Sequence, residues 1–223
     1  MNMMTNLFSI FDPATSLNFN LNWTSTFILL FIIPLQFWFQ SSRMKNLMFS
    51  VSKNLNQEFS NLLKSKFGMT SLFISIFLFI MINNVLGLFP YIFTSSSHLS
   101  FTLSLALPMW MTIILFSWMK NTKNSLAHLV PQGTPIMLMM FMVCIEMISQ
   151  LIRPLTLAVR LAANMIAGHL LMTLLGNLGT NINTLMFPLF LVIQLLLIIL
   201  ESAVAIIQAY VFSILLTLYV KEV

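Results

Sequence analysis

Long uncharged stretches restrict the folds that this chain can adopt. Residues 67–119 contain no Asp, Glu, Lys or Arg, and only 7% of the whole chain is charged. The mean hydropathy of +0.95 is typical of a protein with several transmembrane helices and not of a soluble domain of this size. The 223 residues suffice for roughly five or six spans of about 20 residues each, joined by short loops. We therefore predict an all-α polytopic membrane protein with a single transmembrane domain.

The N-terminal part of the chain predicts one span followed by a surface helix. Residues 1–42 comprise an outer N-terminus and a first transmembrane helix at 21–40, with Trp23 and Trp38 near its ends, where aromatic belts form. Residues 43–66 carry five Lys or Arg, and their apolar residues recur at steps of three and four. This pattern predicts an amphipathic helix that lies on the membrane surface.

The uncharged segment 67–119 is long enough for two spans that form a vertical hairpin. We place them near 71–90 and 99–118, with the polar stretch FPYIFTSSSHLS (89–100) as the turn between them. The stretch AHLVPQGTP (127–135), with two prolines and a glycine, predicts a loop.

Residues 136–220 contain two apolar stretches that are each too long for an upright span. The first runs from 136 to about 175, and forty helical residues would reach about 60 Å, twice the hydrocarbon thickness. It either crosses the membrane at a strong tilt or breaks at Pro154 into two spans. The second runs from about 184 to 220, after a predicted turn at 176–183. We favour a long, strongly tilted hairpin, which gives five membrane-embedded helices plus the amphipathic surface helix.

The charges of the loops predict the orientation. Segments 43–66 and 120–123 carry Lys and Arg, whereas the N-terminus and the turns at 91–98 and 176–183 carry none. The positive-inside rule then places the N-terminus outside and the C-terminus on the matrix or cytoplasmic side. No basic residue precedes Arg43, so we expect no Arg-rich transit peptide. Synthesis inside the compartment where the protein works, with the codon bias of a mitochondrial gene, would explain this feature and the 21 Phe and 18 Met.

Polar side chains recur every seven residues on both long helices, and positions seven apart drift by only about 20° around a helix. The first polar seam consists of Glu146, Arg153 and Arg160, with Asn164 one turn further. The second polar seam consists of Gln194, Glu201 and Gln208. Antiparallel pairing of the two helices would bring the seams toward one surface. Small residues near both seams, such as Ala163, Gly168 and Ala203, would allow close approach of another helix.

Arg160 is the residue that most strongly indicates a function. A guanidinium cannot lose its proton in an apolar setting, and a central membrane Arg costs roughly 2.5–3.5 kcal/mol on insertion scales. Such a residue usually marks an ion or substrate path and has a carboxylate partner. Glu201 and His169 could load and release protons, and amides could orient water. Because His169 lies on nearly the opposite side of its helix from Arg160, we expect it to serve a different compartment of the same path.

Each candidate also has a purely structural interpretation. Glu146 and Arg153 could form an internal ion pair, and His169 could satisfy a neighbouring hydroxyl or amide. Asn83 and Asn84 are typical interhelical hydrogen-bonding residues. The other two histidines, His98 and His128, lie in predicted loops, where we expect them to be solvated.

Several classes of function lack their sequence signatures. The chain has no G-x-x-x-x-G-K-[ST] phosphate loop, no metal-ligand cluster and no nucleophile elbow. Cys144 is the only cysteine, so an internal disulfide is impossible. The net charge of +5 is spread over loops and two intramembrane arginines and is not a nucleic-acid footprint. We expect a transport component without a cofactor, a metal site or catalytic residues.

The arginine segment resembles a known family. RLAANMIAGHLL (160–171), preceded by PLTLAV and followed by ESAVAIIQAYVF (201–212), is similar to subunit a of the F-type ATP synthase. NNVLGLFPYIFTSSSHL (83–99) and AHLVPQGTP (127–135) resemble further blocks of its mitochondrial, insect-like form. The resemblance covers nearly the whole chain.

The resemblance implies a proton-translocating stator subunit of the membrane sector. In this family, two long tilted helices follow a ring of c subunits, and two offset half-channels carry protons to and from a carboxylate on each c subunit. The rotation of the ring is coupled to ATP synthesis, which takes place on other chains. The implied partners are the c-ring, peripheral-stalk and other membrane-sector subunits, and the lipid bilayer. The implied location is the mitochondrial inner membrane.

The resemblance also assigns roles to individual residues. Arg160 matches the essential arginine that faces the ring carboxylate and separates the half-channels. The outer half-channel is implied to be lined by His169 and Glu201, and Glu146 matches an acidic residue of the matrix-side path. Amide residues near the arginine are matched by Asn164 and Gln208. Arg153 is not a residue that the family requires.

Two other functions remain as alternatives. One is a proton-pumping membrane subunit of a respiratory complex, for which lysine- and glutamate-bearing broken helices would be expected. The other is a purely structural membrane subunit. In that case, neutralising Arg160, Glu201 or His169 would reduce stability only.

Overall fold

The protein is all-helical in the described part of the chain, as a computed structural model shows. The structure describes residues 7–15, 19–33, 40, 42–63, 68–120, 122–130, 135–179 and 185–222. The seven α-helices in these ranges are α1 (Ile28–Ile32), α2 (Arg43–Leu63), α3 (Met69–Gly87), α4 (Leu99–Lys120), α5 (Thr122–His128), α6 (Ile136–Gly179) and α7 (Phe187–Glu222). Three 3-10 helices span Leu7–Phe11, Leu21–Phe27 and Ser95–Ser97. Four helices of the described part, α3, α4, α6 and α7, are long and apolar enough to cross a membrane.

The predicted first span at 21–40 is only partly covered, because residues 34–39 lie outside the described residues. Its described part is not the regular α-helix that the apolar composition predicts, since residues Leu21–Phe27 form a 3-10 helix before α1 begins. Within this 3-10 helix, Thr24 Oγ1 and Thr26 Oγ1 donate to backbone carbonyls three residues earlier, at 2.7 and 2.8 Å.

The predicted amphipathic helix is confirmed as α2. Its apolar stripe is buried at Leu55, Phe59 and Leu63, where it packs against α3 and α7. Its other residues are mostly exposed, as the sequence pattern predicts for a surface helix. The described helix ends at Leu63, and residues 64–67 lie outside the described residues.

The two predicted spans of the segment 67–119 are confirmed as α3 and α4, within two residues at most ends. The connection between them is not the exposed turn that its polar composition suggests. The residues Thr94–Ser97 are all buried, and the short 3-10 helix Ser95–Ser97 packs against α3, α4 and α6. After α4, the short helix α5 extends through His128, so the predicted loop at 127–135 begins later than expected.

The two C-terminal stretches form long helices, as the tilted-hairpin interpretation requires. Helix α6 continues through Pro154 without a break, which rules out the two-span alternative. It also extends to Gly179, so the predicted turn at 176–183 is wrong for residues 176–179, and residues 180–184 lie outside the described residues. Proline kinks membrane helices more often than it ends them, because neighbouring groups satisfy the freed carbonyl.

Helices α6 and α7 pair in an antiparallel arrangement along their length. Gly179 meets Phe190 near the turn, and Gly168 meets Glu201 further along the pair. Near the other end, Arg153 stacks over the ring of Tyr219 at 5.3 Å. Along the pair, the residue numbers of α6 decrease as those of α7 increase, so the two helices run antiparallel.

The apolar core lies where α2, α3, α6 and α7 meet. Its most buried members include Phe59, Phe73, Ala158, Ala209 and Leu216, each at most 2% exposed. The long helices contribute to this core with one face only. In their most apolar windows, 6% of α6 and 11% of α7 is buried, against 39% of α3. Most of the hairpin surface is therefore available to lipid or to other chains.

Candidate functional site

The site is built on the seam between α6 and α7, beginning with Arg160. The Arg160 side chain is exposed on α6, where its exposed neighbours include Leu155, Val159 and Ala163. A shallow depression between the two helices is lined by Arg160 and Gln208 together with apolar side chains. The predicted meeting of the two polar seams is confirmed at this point.

No carboxylate in the described part of the chain pairs with Arg160. The chain has five acidic residues, Asp12, Glu58, Glu146, Glu201 and Glu222. The one ion pair found among the described residues joins Glu146 to Arg153, and Tyr210 donates to Glu58. The guanidinium of Arg160 is thus a fixed charge on an otherwise apolar surface.

Glu201 lies further along the seam, in a small cavity between the helices. Its side chain is only 9% exposed. The cavity has a volume of about 200 Å³, is open on one side and is lined by Glu201, Asn164 and Gly168 with six apolar residues. This volume is ample for several water molecules, since one needs roughly 10–15 Å³ of such space. Asn164 and Glu201, one from each polar seam, both line this cavity, as antiparallel pairing of the seams implies.

Gly168 is what lets the carboxylate of Glu201 approach α6 so closely. A Cβ atom built at position 168 would overlap the Glu201 carboxylate. Sequence reasoning identified Gly168 only as one of several small residues that favour helix packing. The sequence could not show which α7 residue fills the space beside this glycine.

His169 points away from this cavity, toward α3. Its ring lies beside the backbone of Gly87, at the end of α3. The ring also contacts Phe11 edge-on, with 6.2 Å between the ring centroids. The prediction that His169 lies on a different side of α6 from Arg160 is confirmed. Gly168, the residue before His169, contacts Glu201 and lines its cavity. His169 and Glu201 are therefore close along α6 although they lie on different sides of it.

Glu146 and Arg153 form the internal ion pair that the sequence allowed. Arg153 Nη2 lies 3.5 Å from Glu146 Oε1, and about a third of each side chain is exposed. Arg153 also stacks over Tyr219 of α7. Glu146 and Tyr219 are thus structural partners of Arg153, whereas Arg160 on the same seam has no carboxylate partner among the described residues.

Two further polar contacts fix α7 against the rest of the bundle. Tyr210 Oη donates to Glu58 Oε2 of α2 at 3.0 Å. Asn84 Nδ2 donates to the carbonyl of Ala205, one turn after Glu201, at 3.4 Å. Asn83 Nδ2 bonds within α3, to the carbonyl of Phe79. The predicted interhelical hydrogen bond is therefore confirmed for Asn84. Asn83 instead bonds to a backbone carbonyl of its own helix.

The solvated interpretation of His98 is wrong. The His98 ring lies between aromatic side chains, with centroids 5.3 Å from Trp23 and 5.2 Å from Phe93. Its Nε2 atom is buried. The cause is tertiary packing, because the 3-10 helix before it is enclosed by α3, α4 and α6. The side chain of His128 lies outside the described residues.

These placements define what the site can do chemically. A permanent cation, a buried carboxylate in a cavity and a histidine lie in succession along a hairpin with an apolar surface. Carboxylate and imidazole groups exchange protons, and amides such as Asn164 and Gln208 hold water in place. A fixed positive charge favours the ionised form of a nearby carboxylate.

Comparison with known proteins gives a consistent result. Residues 19–221 match the family described as "ATP synthase A chain". The chain is 60% identical to "ATP synthase subunit a" of Locusta migratoria, with 99% of this chain and 100% of that protein covered. At the same coverage, it is 56% identical to the protein of that name from Drosophila melanogaster and 57% identical to that from Anopheles gambiae.

Proposed function

Because the chain belongs to the family of ATP synthase subunit a, the non-catalytic, proton-translocating stator subunit of F-type ATP synthases, we propose that Arg160 faces the proton-carrying carboxylate of a rotating c-ring. The α6–α7 hairpin then forms the surface along which the ring turns. Family membership also decides against the alternative of a respiratory-complex subunit.

The observation that carries this proposal is the exposed and unpaired Arg160. An arginine on a membrane-facing apolar surface is costly unless a carboxylate or water compensates it. No described acidic residue of the chain does so, while the neighbouring Arg153 is paired internally. A carboxylate supplied by another chain would pair with the charge of Arg160. As this carboxylate passes from one side of Arg160 to the other, it would release a proton and bind another.

Two half-channels then meet at Arg160. The outer half-channel contains His169 and Glu201, with the cavity beside Asn164 as its inner end. The matrix-side half-channel contains Glu146, and Gln208 lies next to the arginine. The positive charge of Arg160 separates the two by blocking direct proton transfer between them. Because one charge crossing the membrane yields only about 2.3 kcal/mol per 100 mV, several protons must pass for each ATP.

The same assignment sets the location and the partners. The chain would reside in the mitochondrial inner membrane, with its N-terminus toward the intermembrane space and its C-terminus toward the matrix. The basic helix α2 would then face the matrix, and so would Lys120 and Lys123, in agreement with the positive-inside rule. Peripheral-stalk and other membrane-sector subunits would cover part of the apolar surface that the c-ring leaves free.

Proton flux through assembled complexes with the Arg160→Gln substitution tests the proposal. ATP-driven pumping and passive leakage would both be measured in liposomes, after equal assembly has been confirmed. We expect pumping to fall by at least about a hundredfold, because the electrostatic gate is gone. The passive leak should rise, because the two half-channels are no longer separated.

Arg153→Gln is the matched control, since it removes the same charge seven residues away on the same helix. It breaks an internal ion pair and should reduce the amount of assembled complex, while each assembled complex still pumps. Normal coupled pumping by Arg160→Gln complexes would show that this arginine is not the gate.

The role of Glu146 needs a separate test, because its pairing with Arg153 is also a structural role. If Glu146 serves only that pair, Glu146→Gln impairs the protein and the double variant Glu146→Gln/Arg153→Gln restores it, since no unpaired charge remains. If Glu146 belongs to the proton path, the double variant stays slow in proton flux even when assembly is restored.

A further inference from the structure

Four buried polar atoms have no hydrogen-bond partner among the described residues. They are Asn84 Oδ1, Ser96 Oγ, His98 Nε2 and His169 Nε2. Asn84 is 0% exposed and Ser96 is 1% exposed, so bulk solvent does not reach their side chains. Leaving a buried polar group unpaired costs roughly 1–3 kcal/mol, and such groups are normally bound to ordered water.

Three of these atoms belong to residues that are linked by contacts, from the buried turn to Glu201. The buried turn that contains Ser96 begins at Thr94, and the Cβ position of Gly87 lies 3.0 Å from Thr94 Cγ2. The backbone of Gly87 in turn lies beside the His169 ring. Gly168, the residue before His169, contacts Glu201. Asn84 lies one turn before Gly87 and is bonded to Ala205, one turn after Glu201.

Two neighbouring hydroxyl groups of the 3-10 helix Ser95–Ser97 differ in their hydrogen bonding. Ser97 Oγ donates to the carbonyl of Thr94 at 2.7 Å and accepts a bond from Thr94 Oγ1 at 3.2 Å. This hydroxyl is satisfied and holds the turn together. The hydroxyl of the adjacent Ser96 is equally buried and bonds to none of the described residues. The hydrogen bonds of the turn therefore account for the buried hydroxyl of Ser97 but not for that of Ser96.

Aromatic residues hold His98 in place. Its ring stacks on Phe93 at an interplanar angle of 28° and contacts Trp23. Ser25, two residues after Trp23, donates to the carbonyl of Phe93 at 3.1 Å. The N-terminal 3-10 helix Leu21–Phe27 is thus fastened to the turn, and the imidazole cannot simply rotate into solvent.

We propose that Ser96 and His98 form the mouth of the outer half-channel, where they hold ordered water that passes protons to His169. His98 takes a proton from outer water on one ring nitrogen and releases one to the water at Ser96. That water passes a proton on toward His169, and each step exchanges one O–H or N–H bond for another. Asn84 Oδ1 accepts a hydrogen bond from water at the end of the path near Glu201.

This inference rests on the proposed assignment of His169 and Glu201 to the outer half-channel. The competing interpretation is a dry turn in which Ser96 and His98 only fill space. The two interpretations predict opposite results for apolar substitutions. In a dry turn, replacing an unpaired polar group by an apolar one of similar shape is neutral or stabilising. In a water-filled mouth, it interrupts proton uptake.

The test is ATP synthesis driven by an imposed proton gradient in liposomes that contain assembled complexes. The outer pH would be varied between about 5 and 8, around the range in which imidazole ordinarily titrates. At limiting outer proton concentration, we expect His98→Leu to lower the rate per assembled complex at least about tenfold, as general acid–base roles typically contribute. We expect His98→Gln, which keeps hydrogen-bonding groups, to lower it by less than about threefold.

Ser96→Ala and Ser97→Ala provide the matched pair. We expect Ser96→Ala to slow proton uptake several-fold with normal assembly, and Ser97→Ala to reduce assembly with normal turnover of each assembled complex. A His98→Leu complex that assembles and turns over at the native rate at every outer pH would overturn the proposal. The proposal would also be overturned if His98→Leu and His98→Gln lowered ATP synthesis equally and only in proportion to the loss of assembled complex.

His169→Leu and Glu201→Gln separate this inference from the underlying assignment. If both stop proton flux while His98→Leu and Ser96→Ala do not, only the mouth is wrongly placed. If neither stops flux, the outer half-channel itself is wrongly assigned. Electron cryomicroscopy of the assembled complex gives a direct check, since ordered water should lie roughly 2.7–3.2 Å from Ser96 Oγ and His98 Nε2. Protein atoms packed against both groups would overturn the proposal.

Discussion

Gly168 of α6 lies in direct contact with the carboxylate of Glu201 on α7, so closely that a Cβ atom at position 168 would overlap it. The contact joins a residue without a side chain to the only buried carboxylate of the described chain. Glu201 and Asn164 line the same cavity at this contact.

Gly168→Ala is expected to displace the Glu201 carboxylate and to lower proton flux by at least about tenfold, since small misplacements of reacting groups cost large factors. Gly176→Ala on the same helix is the control, because nothing lies within 4 Å of its added Cβ. Alanine favours a helix over glycine by about 1 kcal/mol, so both substitutions stabilise the helix itself. Proton pumping per assembled complex would be compared. Equal, unimpaired pumping in the two variants would mean that the contact does not position Glu201.

A compensating variant strengthens this test. Glu201→Asp shortens the side chain by one methylene and should make room for the Cβ of Gly168→Ala. We expect the double variant to conduct protons better than Gly168→Ala alone, because the carboxylate can again occupy the cavity. The non-additivity would be read from the double-mutant cycle of proton fluxes. Strictly additive losses would count against a shared contact.

Gly179 has a comparable role at the turn of the hairpin, where an added Cβ would lie 2.8 Å from the Phe190 ring. Gly179→Ala should force the ring aside and destabilise the hairpin by about 1–3 kcal/mol, the usual cost of overpacking. Thermal dissociation of the purified complex would report the loss. Adding Phe190→Leu should recover part of it, whereas a larger loss in the double variant would contradict the steric explanation.

The hydrogen bond between Tyr210 and Glu58 links α7 to the surface helix α2. Tyr210 is 36% exposed, so we expect Tyr210→Phe to cost at most about 1 kcal/mol. Proton flux should remain normal, because neither residue lies on the seam. The resistance of α2 to limited proteolysis would be measured beside flux. A strong loss of flux with intact α2 protection would give Tyr210 a role in the proton path.

The long hairpin and its seams could be predicted from the sequence because they rest on local periodicity. Residues seven apart stay on one face of any α-helix, so each polar seam could be predicted before any tertiary contact was known. That Gln208 lies near Arg160 was implied only by the family resemblance. The unbroken passage of α6 through Pro154 was one of two predicted alternatives. Which alternative holds depends on whether neighbouring groups bond to the carbonyl that Pro154 leaves free, and a single sequence does not show this.

The buried turn could not be predicted in the same way. A stretch such as Thr94–His98 has the composition of an exposed loop, and its burial arises from helices distant in sequence. The 3-10 conformation of Leu21–Phe27 likewise differs from the regular α-helix that hydropathy predicts for an apolar segment. The function of Gly168 was hidden for a related reason, since a glycine reveals what it accommodates only when the opposing residue is known.

The antiparallel hairpin couples Gly168 to Glu201 and Arg153 to Tyr219 across two separate helices. Inserting or deleting a single residue within α7 would rotate everything beyond it by about 100° and shift it by about 1.5 Å. Glu201 or Gln208 would then turn away from α6, although every amino acid of the site would still be present. The chain should therefore tolerate many substitutions on its lipid-facing surface but almost no change of length between Phe187 and Gln208. What must be preserved over this stretch is helical phase, which is a property of residue count rather than of residue identity.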